Sequence, residues 1–402
     1  MHTDLQKYYS EVQEELENDI LAYWMKYAVD RENGGFFGFI ASDNQINETA
    51  DKGCILNSRI LWTFSTAYKT TGNKEYLKIA EHAYEFLVKF FWDHEFSGLY
   101  WMVDYKGNPI NTRKQIYNIA FGIYGLSEYF SATGDNTSLE LAIKLFEEIE
   151  AKAYDKENKG YFEALTREWQ PIDDLRLSDK DMNEKKSMNT HLHILEAYTN
   201  LLRVWESDKL RFKLKELIEI TIDKIIDPER FQFKLFFDEF WNPKSGDISY
   251  GHDIEGSWLL FEAAEVLGNE ELIKRSKQVA IEMAQKVFDD GIDREFGGLI
   301  NEKNEHGHKD PYKAWWPQAE ALVGFLNAYE LTRKDYFLDA SYDMWDFTKQ
   351  YLIDKTHGEW YWRVSTDGKA DCSMPKVEPW KCPYHNGRAC VEIMSRLNKL
   401  MK

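Results

Sequence analysis

The stretch Asp30-Arg-Glu-Asn-Gly-Gly-Phe-Phe-Gly38 recurs in altered form along the whole chain. It returns as Asp93-His-Glu-Phe-Ser-Gly-Leu-Tyr100, Asp155-Lys-Glu-Asn-Lys-Gly-Tyr-Phe162, Asp293-Arg-Glu-Phe-Gly-Gly298 and Asp354-Lys-Thr-His-Gly-Glu-Trp-Tyr361. A degenerate copy starts at Asp227. An acidic residue, a few polar residues and then glycines or aromatics thus reappear about every 60 to 70 residues, the signature of a repeat architecture. Each copy sets turn residues beside aromatic, alternating stretches such as Gly98-Leu-Tyr-Trp-Met-Val-Asp-Tyr-Lys-Gly107, which predicts a short β-hairpin or irregular loop.

Two helical patterns lie between successive copies, divided by a second punctuation mark. It reads Thr71-Gly-Asn-Lys74, Thr133-Gly-Asp-Asn136, Glu206-Ser-Asp-Lys209, Leu267-Gly-Asn-Glu270 and Thr332-Arg-Lys-Asp335. Glycine suits the residue after a helix, and the Asn or Asp behind it suits the next N-cap. After the mark comes a charged amphipathic helix. In Tyr76 to Phe91, for example, Leu77, Ala80, Ala83, Phe86, Leu87 and Phe90 share a stripe. Before the mark comes a less charged helix, such as Ile55 to Tyr68 or Ile116 to Phe130.

The ends complete the count. A charged helix at about Leu5 to Tyr27 lacks an apolar partner, and the last segment, about Tyr384 to Leu400, lacks a charged one. Five internal pairs plus these two ends predict twelve helices, and a closed ring lets the first and last pair. The expected fold is all-α: an (α/α)6 barrel with apolar helices inside, charged helices outside and short β-hairpins on one rim. It forms one domain over residues 1–402, since no linker or composition break divides the chain. An open solenoid would need capping repeats with a polar outer face.

Composition bounds the function. A net charge of −19 argues against nucleic acid, whose phosphates it would repel. No apolar run approaches the roughly 20 residues of a membrane span, and the N-terminus lacks the apolar core of a signal peptide. Four cysteines (Cys54, Cys372, Cys382 and Cys390) without a CxxC spacing do not make a disulfide framework, which suits a reducing cytoplasm. The 14 Trp are a surplus, and flat rings of this kind cover sugar faces at little entropic cost.

Each apolar helix carries its least apolar residues in its first turns. In order these are Arg59; Tyr117 and Asn118; Asn189, His191 and His193; His252, Asp253 and Glu255; Trp315, Trp316 and Glu320; and His385, Asn386 and Arg388. In a barrel, six such turns on one rim converge on one cavity. His191 and His193 are two apart, so they point to different faces, and spacing barely separates them. His82, His94 and His357 fall on outer helices or hairpins and read as non-catalytic. Arg59 is expected either to pair with Glu255 or Glu320, because an unpaired buried guanidinium is costly, or to stabilise a developing oxyanion. His252 and Glu255, three apart, share a face, a spacing that suits a carboxylate orienting an imidazole.

The segments Met188-Asn-Thr-His-Leu-His-Ile-Leu-Glu-Ala-Tyr198, Tyr250-Gly-His-Asp-Ile-Glu255, Ala314-Trp-Trp-Pro-Gln-Ala-Glu320 and Glu378-Pro-Trp-Lys-Cys-Pro-Tyr-His-Asn-Gly-Arg388 resemble the N-acylglucosamine 2-epimerase superfamily. Within it they are most similar to the cellobiose 2-epimerases, over essentially the whole chain. The resemblance implies an (α/α)6 barrel and a cofactor-independent isomerase that inverts C2 of the reducing-end sugar of a β-1,4-linked disaccharide, with no metal. It implies that His252 and His385 are the acid/base pair, that His193 assists ring opening, that Asn189 holds the intermediate and that Arg59 is an essential cation. Tyr117, Phe121, Glu255, Trp258, Trp315, Trp316, Glu320 and Trp380 are then expected to line the sugar subsites, and His193 rather than His191 to face the cavity. The expected partner is a small disaccharide, with no nucleic acid or membrane, and the protein a cytoplasmic monomer.

This chemistry suits histidine. The C2 proton is acidic only beside an open-chain aldehyde, and an imidazole with a pKa near 6.5 can take and return it through an enediolate. Rival readings are monosaccharide 2-epimerisation, mannose-type aldose–ketose isomerisation, an inverting glycosidase with two carboxyls about 6.5–9.5 Å apart, a metalloenzyme using His193, His252 and His385, and a non-catalytic sugar binder.

Overall fold

The computed structural model describes residues 4–402; Met1 to Thr3, the start of the stretch expected to lack a signal peptide, lie outside them. Twelve helices follow in order among the described residues. They are α1 (5–28), α2 (Cys54–Thr71), α3 (74–91), α4 (Ile116–Thr133), α5 (136–153), α6 (Met188–Leu202), α7 (208–225), α8 (Tyr250–Leu267), α9 (Glu270–Asp290), α10 (Trp315–Thr332), α11 (335–352) and α12 (Tyr384–Leu400). The even-numbered helices pack side by side into an inner ring, and α12 returns to α2. The odd-numbered helices form the outer layer, with α1 seated on α12. The ring is closed, as expected, and the open solenoid is excluded.

Sequence decides which layer a helix joins. In α2 every residue from Cys54 to Ala67 is buried, and in α4 every residue from Ile116 to Tyr129. By contrast α3 buries one stripe: Tyr76, Ile79, Ala80, Ala83, Phe86, Leu87 and Phe91. Leu77 and Phe90, expected in that stripe, are only half-buried at its margin. Inner helices approach closely where glycine allows it. A Cβ on Gly125 of α4 would lie 2.7 Å from the Ser58 carbonyl oxygen of α2.

The helix junctions follow the predicted chemistry in three cases. Gly72, Gly134 and Gly268 adopt left-handed φ values of 71°, 75° and 73°, and Asn73, Asp135 and Asn269 cap the helices that follow. The other two differ. Ser207 caps α7 but α6 ends without a left-handed residue, while Arg333 takes φ 58° in place of glycine.

The seam holds the two chain ends together. Trp345 Nε1 donates to Glu11 at 2.9 Å, Trp360 Nε1 to Glu15 at 2.7 Å and Trp24 Nε1 to Glu359 at 2.6 Å. No helix among the described residues is long and apolar enough to cross a membrane.

On one rim run short strands: β1 (Lys52–Gly53), β2 (Met102–Val103), β3 (Pro109–Asn111), β4 (Lys114–Gln115), β5 (Ala164–Leu165), β6 (Lys186–Ser187), β7 (Phe236–Phe237), β8 (Ile248–Ser249), β9 (Glu302–Lys303), β10 (Tyr312–Ala314) and β11 (Arg363–Ser365). β2 and β3 form a local hairpin. The other pairs link successive repeats: β1–β2, β4–β5, β6–β7, β8–β9 and β10–β11 are all antiparallel. An Ile40–Val377 bridge completes the belt. Five of the six inner helices, α2 to α10, therefore start from a strand already fastened to its neighbour.

The repeated aspartate fixes this belt. Asp30, Asp93, Asp155, Asp227, Asp293 and Asp354 each accept backbone N–H bonds from the residues two and three further on. Five of them also meet a buried lysine, in four cases two residues before an inner helix and in the fifth eight residues before α12. The pairs are Lys52–Asp30 at 2.7 Å, Lys114–Asp93, Lys186–Asp155 and Lys313–Asp293 at 2.8 Å, and Lys376–Asp354 at 3.0 Å. The degenerate copy at Asp227 has Ile248 in the lysine's place. Burial alone would raise the Asp30, Asp155, Asp293 and Asp354 carboxyls, but the turn N–H donors and the lysines hold them below the usual range.

Breaking one such pair from one side strands a buried charge. Lys186→Met is expected to cost about 3 kcal/mol in a urea or guanidinium titration, with Asp155→Asn added to it recovering part of the loss. Equal stability of the single variant and the parent contradicts the assignment.

Candidate active site

The first turns of the inner helices open into a cavity of about 450 Å³ at the strand-bearing rim. Arg59 of α2, Tyr117 of α4, Asn189 and His193 of α6, His252 and Glu255 of α8, Trp315 and Trp316 of α10, and His385 of α12 all line it, with Trp380 from the segment before α12. Six sequence-distant clusters meet there because every inner helix starts on the same rim.

Three histidines share one arrangement. His193 Nδ1 is 2.9 Å from Glu196 Oε2, His252 Nδ1 is 2.7 Å from Ser249 Oγ, and His385 Nδ1 is 2.7 Å from Glu320 Oε1. In each the scaffold occupies Nδ1 and leaves Nε2 without a protein partner. His191 is the contrast. Its Nδ1 meets the Ser187 carbonyl at 2.7 Å and its Nε2 accepts from Tyr161 N at 2.9 Å, so both nitrogens serve the fold. His193, not His191, reaches the cavity. His82 bonds the Gly35 carbonyl oxygen, and His357 sits on Asp354, both in the hairpin belt.

The surroundings keep the His252 and His385 imidazoles neutral. Burial, with the neighbouring His193, lowers His252 to about 3. Burial lowers His385 as well, helped by the Arg59 and Arg388 cations. Glu196 behaves oppositely: burial would raise it, but Arg388 and His193 bring it down to about 2. An ionised Glu196 can only accept, so His193 Nδ1 carries a proton and donates to it.

Arg388 forms the floor. One nitrogen donates to Glu196 and Tyr384, the other to Glu255 Oε1 at 2.6 Å and Glu320 Oε1 at 2.7 Å. Burial and the adjacent Glu320 push Glu255 up to about 7, so one proton is readily held among these carboxyls near neutrality. Glu255 Oε2, Asn189 Oδ1 and Trp315 Nε1 have no hydrogen-bond partner within the protein, although each residue lines the cavity. Such groups suit sugar hydroxyls. Among the described residues, Glu255, Glu320 and His385 are the one group with metal-ligand spacing. This is not the three-histidine set, and the Arg388 guanidinium already stands against both carboxylates.

Several sequence expectations need correction. Phe121, Trp258 and Glu320 do not line the cavity; they stand behind it. Phe121 packs 4.2 Å under the Arg59 guanidinium, Trp258 Nε1 donates to Glu320 Oε2 at 3.2 Å, and Glu320 backs His385. Arg59 pairs with neither Glu255 nor Glu320, because Arg388 takes both. It donates instead to Tyr117 Oη at 2.6 Å and lies over the rings of Phe121 and Tyr384. Nor does Glu255 orient His252, whose partner is Ser249. The floor carboxylates converge on one cation rather than flanking a bond, which removes the basis for the glycosidase reading.

Sequence reasoning noted Arg388 among the polar first-turn residues without giving it a role, and it missed Glu196 altogether. The i, i+3 spacing of His193 and Glu196 was the available signal. The long connection between β5 and β6 was also missed, and its Arg176, Lys180 and Asp181 reach the cavity mouth. Nothing periodic marks them.

Known proteins resemble this chain over nearly its whole length. The family model for N-acylglucosamine 2-epimerase (GlcNAc 2-epimerase) matches residues 35–389. A cellobiose 2-epimerase of Bacteroides fragilis is 49% identical over 385 residues, covering 96% of this chain and 98% of that protein. One of Dictyoglomus turgidum is 42% identical, covering 98% of this chain and all of its own. The solved cellobiose 2-epimerase of Bacillus thermoamylovorans B4167 superposes with a TM-score of 0.94 at 41% identity, over 97% of this chain and 100% of that one. With its fold and nearly its whole length in common with these proteins, the chain belongs to the N-acylglucosamine 2-epimerase family.

Proposed function

We propose that this protein inverts C2 of the reducing-end glucose of β-1,4-linked disaccharides, converting cellobiose to glucosyl-mannose and lactose to epilactose. It does so without a cofactor, as a monomer in the cytoplasm. The observation that carries the reading is the set of three imidazoles, His193 and His385 buried and His252 half-buried, each tied through Nδ1 and each with Nε2 free at one cavity. Likeness to cellobiose 2-epimerases at 38–49% identity over nearly full length supports the substrate class.

The steps follow from acid–base chemistry. His193, whose Nε2 has no protein partner, takes the anomeric hydroxyl proton and passes it to the ring oxygen as the C1–O5 bond breaks, which opens the ring. An imidazole of the His252/His385 pair then takes the C2 proton of the aldehyde form. The oxyanion of the cis-enediolate forms beside the Arg59 guanidinium, which is fixed in advance and water-poor. The imidazole across the cavity takes up a solvent proton at Nε2 once the enediolate anion has formed beside it and returns that proton to the opposite face of C2. The first imidazole releases its own to solvent, and ring closure completes the exchange. Trp316, whose ring lies 4.7 Å from His252 and 5.5 Å from His385, separates the pair and packs on the sugar. Trp380, 6.0 Å from both Tyr117 and Trp101, extends the aromatic wall for the second ring.

In deuterated water the epimer formed from cellobiose should carry deuterium at C2, read by NMR after chromatographic separation. Turnover of free mannose with disaccharides untouched moves the protein to the monosaccharide branch, and free glucose released from cellobiose marks a hydrolase.

His252→Ala and His385→Ala should each lower kcat by about 10²–10⁴-fold with little change in KM, the span of general acid–base catalysis. Trp380→Ala should chiefly raise KM. A nearly active His385→Ala enzyme defeats the mechanism.

The pH dependence has a definite sign. Both paired imidazoles have proton affinities lowered by burial, so they remain neutral bases below the ordinary histidine range. The acid limb of kcat/KM should therefore fall below pH ~6.5, the unperturbed histidine value. The same shift makes stability present above that value and lost as pH falls, because the unfolded chain binds the protons more readily. An acid limb centred above it rejects the neutral-base assignment.

A further inference from the structure

Glu359 breaks the pattern of its repeat. The sixth residue of the motif is Gly35, Gly98, Gly160 and Gly298 in four copies, all with positive φ, between 64° and 78°. In the last copy it is glutamate at φ 60°. A side chain there strains the backbone where glycine would not, and such strain persists only where something else demands it. Its carboxylate is wholly buried.

That carboxylate is fully engaged, and its partners come from both ends of the chain. Oε2 accepts from Trp24 Nε1 of α1 at 2.6 Å. Oε1 accepts from Lys381 Nζ and from Asn386 Nδ2, each at 2.7 Å, and from Trp360 N at 2.9 Å. Lys381 and Asn386 bracket His385, and Lys381 Nζ also lies 5.2 Å from the centroid of the Trp315 ring that walls the cavity. The start of α12 lacks a side-chain cap: Pro383 precedes it and makes no such bond. At α6, by contrast, Ser187 caps the helix that carries His193. The buried Glu359 carboxylate ties the first turn of α12 down through a side chain, Asn386, rather than through a backbone N–H as a cap would.

We infer that Glu359 is a positioning residue for the reaction: through Asn386 and Lys381 it fixes the first turn of α12, and with it His385 and the Trp315 wall. The geometry carries this, resting on the proposed role of His385 as an acid/base. Glu359 touches no substrate. It anchors the start of α12, which like the starts of α2 and α8 has no side-chain cap of its own, and it does so against the first helix of the chain.

The test is a set of three variants measured beside the parent on cellobiose, or on whichever sugar the parent turns over. Parent turnover itself tests the functional reading, while the variant-to-parent ratio tests this inference, so the two fail separately. Asn386→Ala cuts the link to α12 and leaves the Lys381–Glu359 pair and the seam in place. It should lower kcat by about 10- to 100-fold with KM changed less than threefold, the scale of a misplacement near 1 Å. Glu359→Gln should match or exceed that loss, and the double variant should fall short of the product of the two single effects, because both act on one contact. Trp24→Phe removes only the bond on the seam side, and should lower the melting temperature while kcat stays within about twofold. If Glu359→Gln fails to fold, Asn386→Ala and Trp24→Phe decide alone. Wild-type kcat in Asn386→Ala overturns the inference. Equal kcat losses in Asn386→Ala and Trp24→Phe, or fully multiplicative effects in the double variant, do the same by reducing Glu359 to a strut of the ring.

Discussion

The buried ion pair between a hairpin aspartate and the lysine ahead of an inner helix is the constraint on which the rest of the molecule depends. Burying either charge alone would be costly, so each pair commits a hairpin to one place beside one helix start. Lys52, Lys186, Lys313 and Lys376 also donate to carbonyl oxygens of the hairpin itself, at 2.6–2.7 Å. The effect is less a stock of stability than a register. It sets where each inner helix begins, and hence where its first-turn side chains stand. The one copy without the lysine, at Asp227 and Ile248, lies on the belt just ahead of α8, the helix of His252.

A second constraint operates below the cavity. Arg388 gathers Glu196, Glu255 and Glu320, and two of those carboxylates hold Nδ1 of His193 and His385. The imidazoles are thereby oriented by a common support rather than separately. Because burial disfavours a second positive charge near Arg59 and Arg388, His385 waits as a neutral base. Arg59, freed from the carboxylates, keeps its charge for the substrate.

How far the site could be read from sequence depended on the kind of interaction. His193, His252, His385, Arg59 and Asn189 announce themselves as polar residues at the start of apolar helices, where a purely structural sequence has no use for them. Phe121, Trp258 and Glu320 carry the same signal but stand one layer behind the cavity, since spacing gives the face of a helix and not the depth of a side chain. The pairing of His252 with Ser249 instead of Glu255 is of the same kind. Two residues on one face can each turn to a nearer partner.

The sequence by itself determined the twelve helices, their division into apolar and charged sets, and the closed ring, because periodicity and punctuation are local and the two unpaired ends could be satisfied only by each other. It also determined which polar residues were out of place. Tertiary structure alone decided who pairs with whom: Arg388 rather than Arg59 with Glu255 and Glu320, strand β1 with β2 of the next repeat, Glu359 with Trp24 of α1 and Asn386 of α12. Those choices depend on distances of a few ångströms between residues up to 335 positions apart, as Trp24 and Glu359 are. Charge and hydrogen-bond energies change steeply over such distances, and no one-dimensional pattern records them.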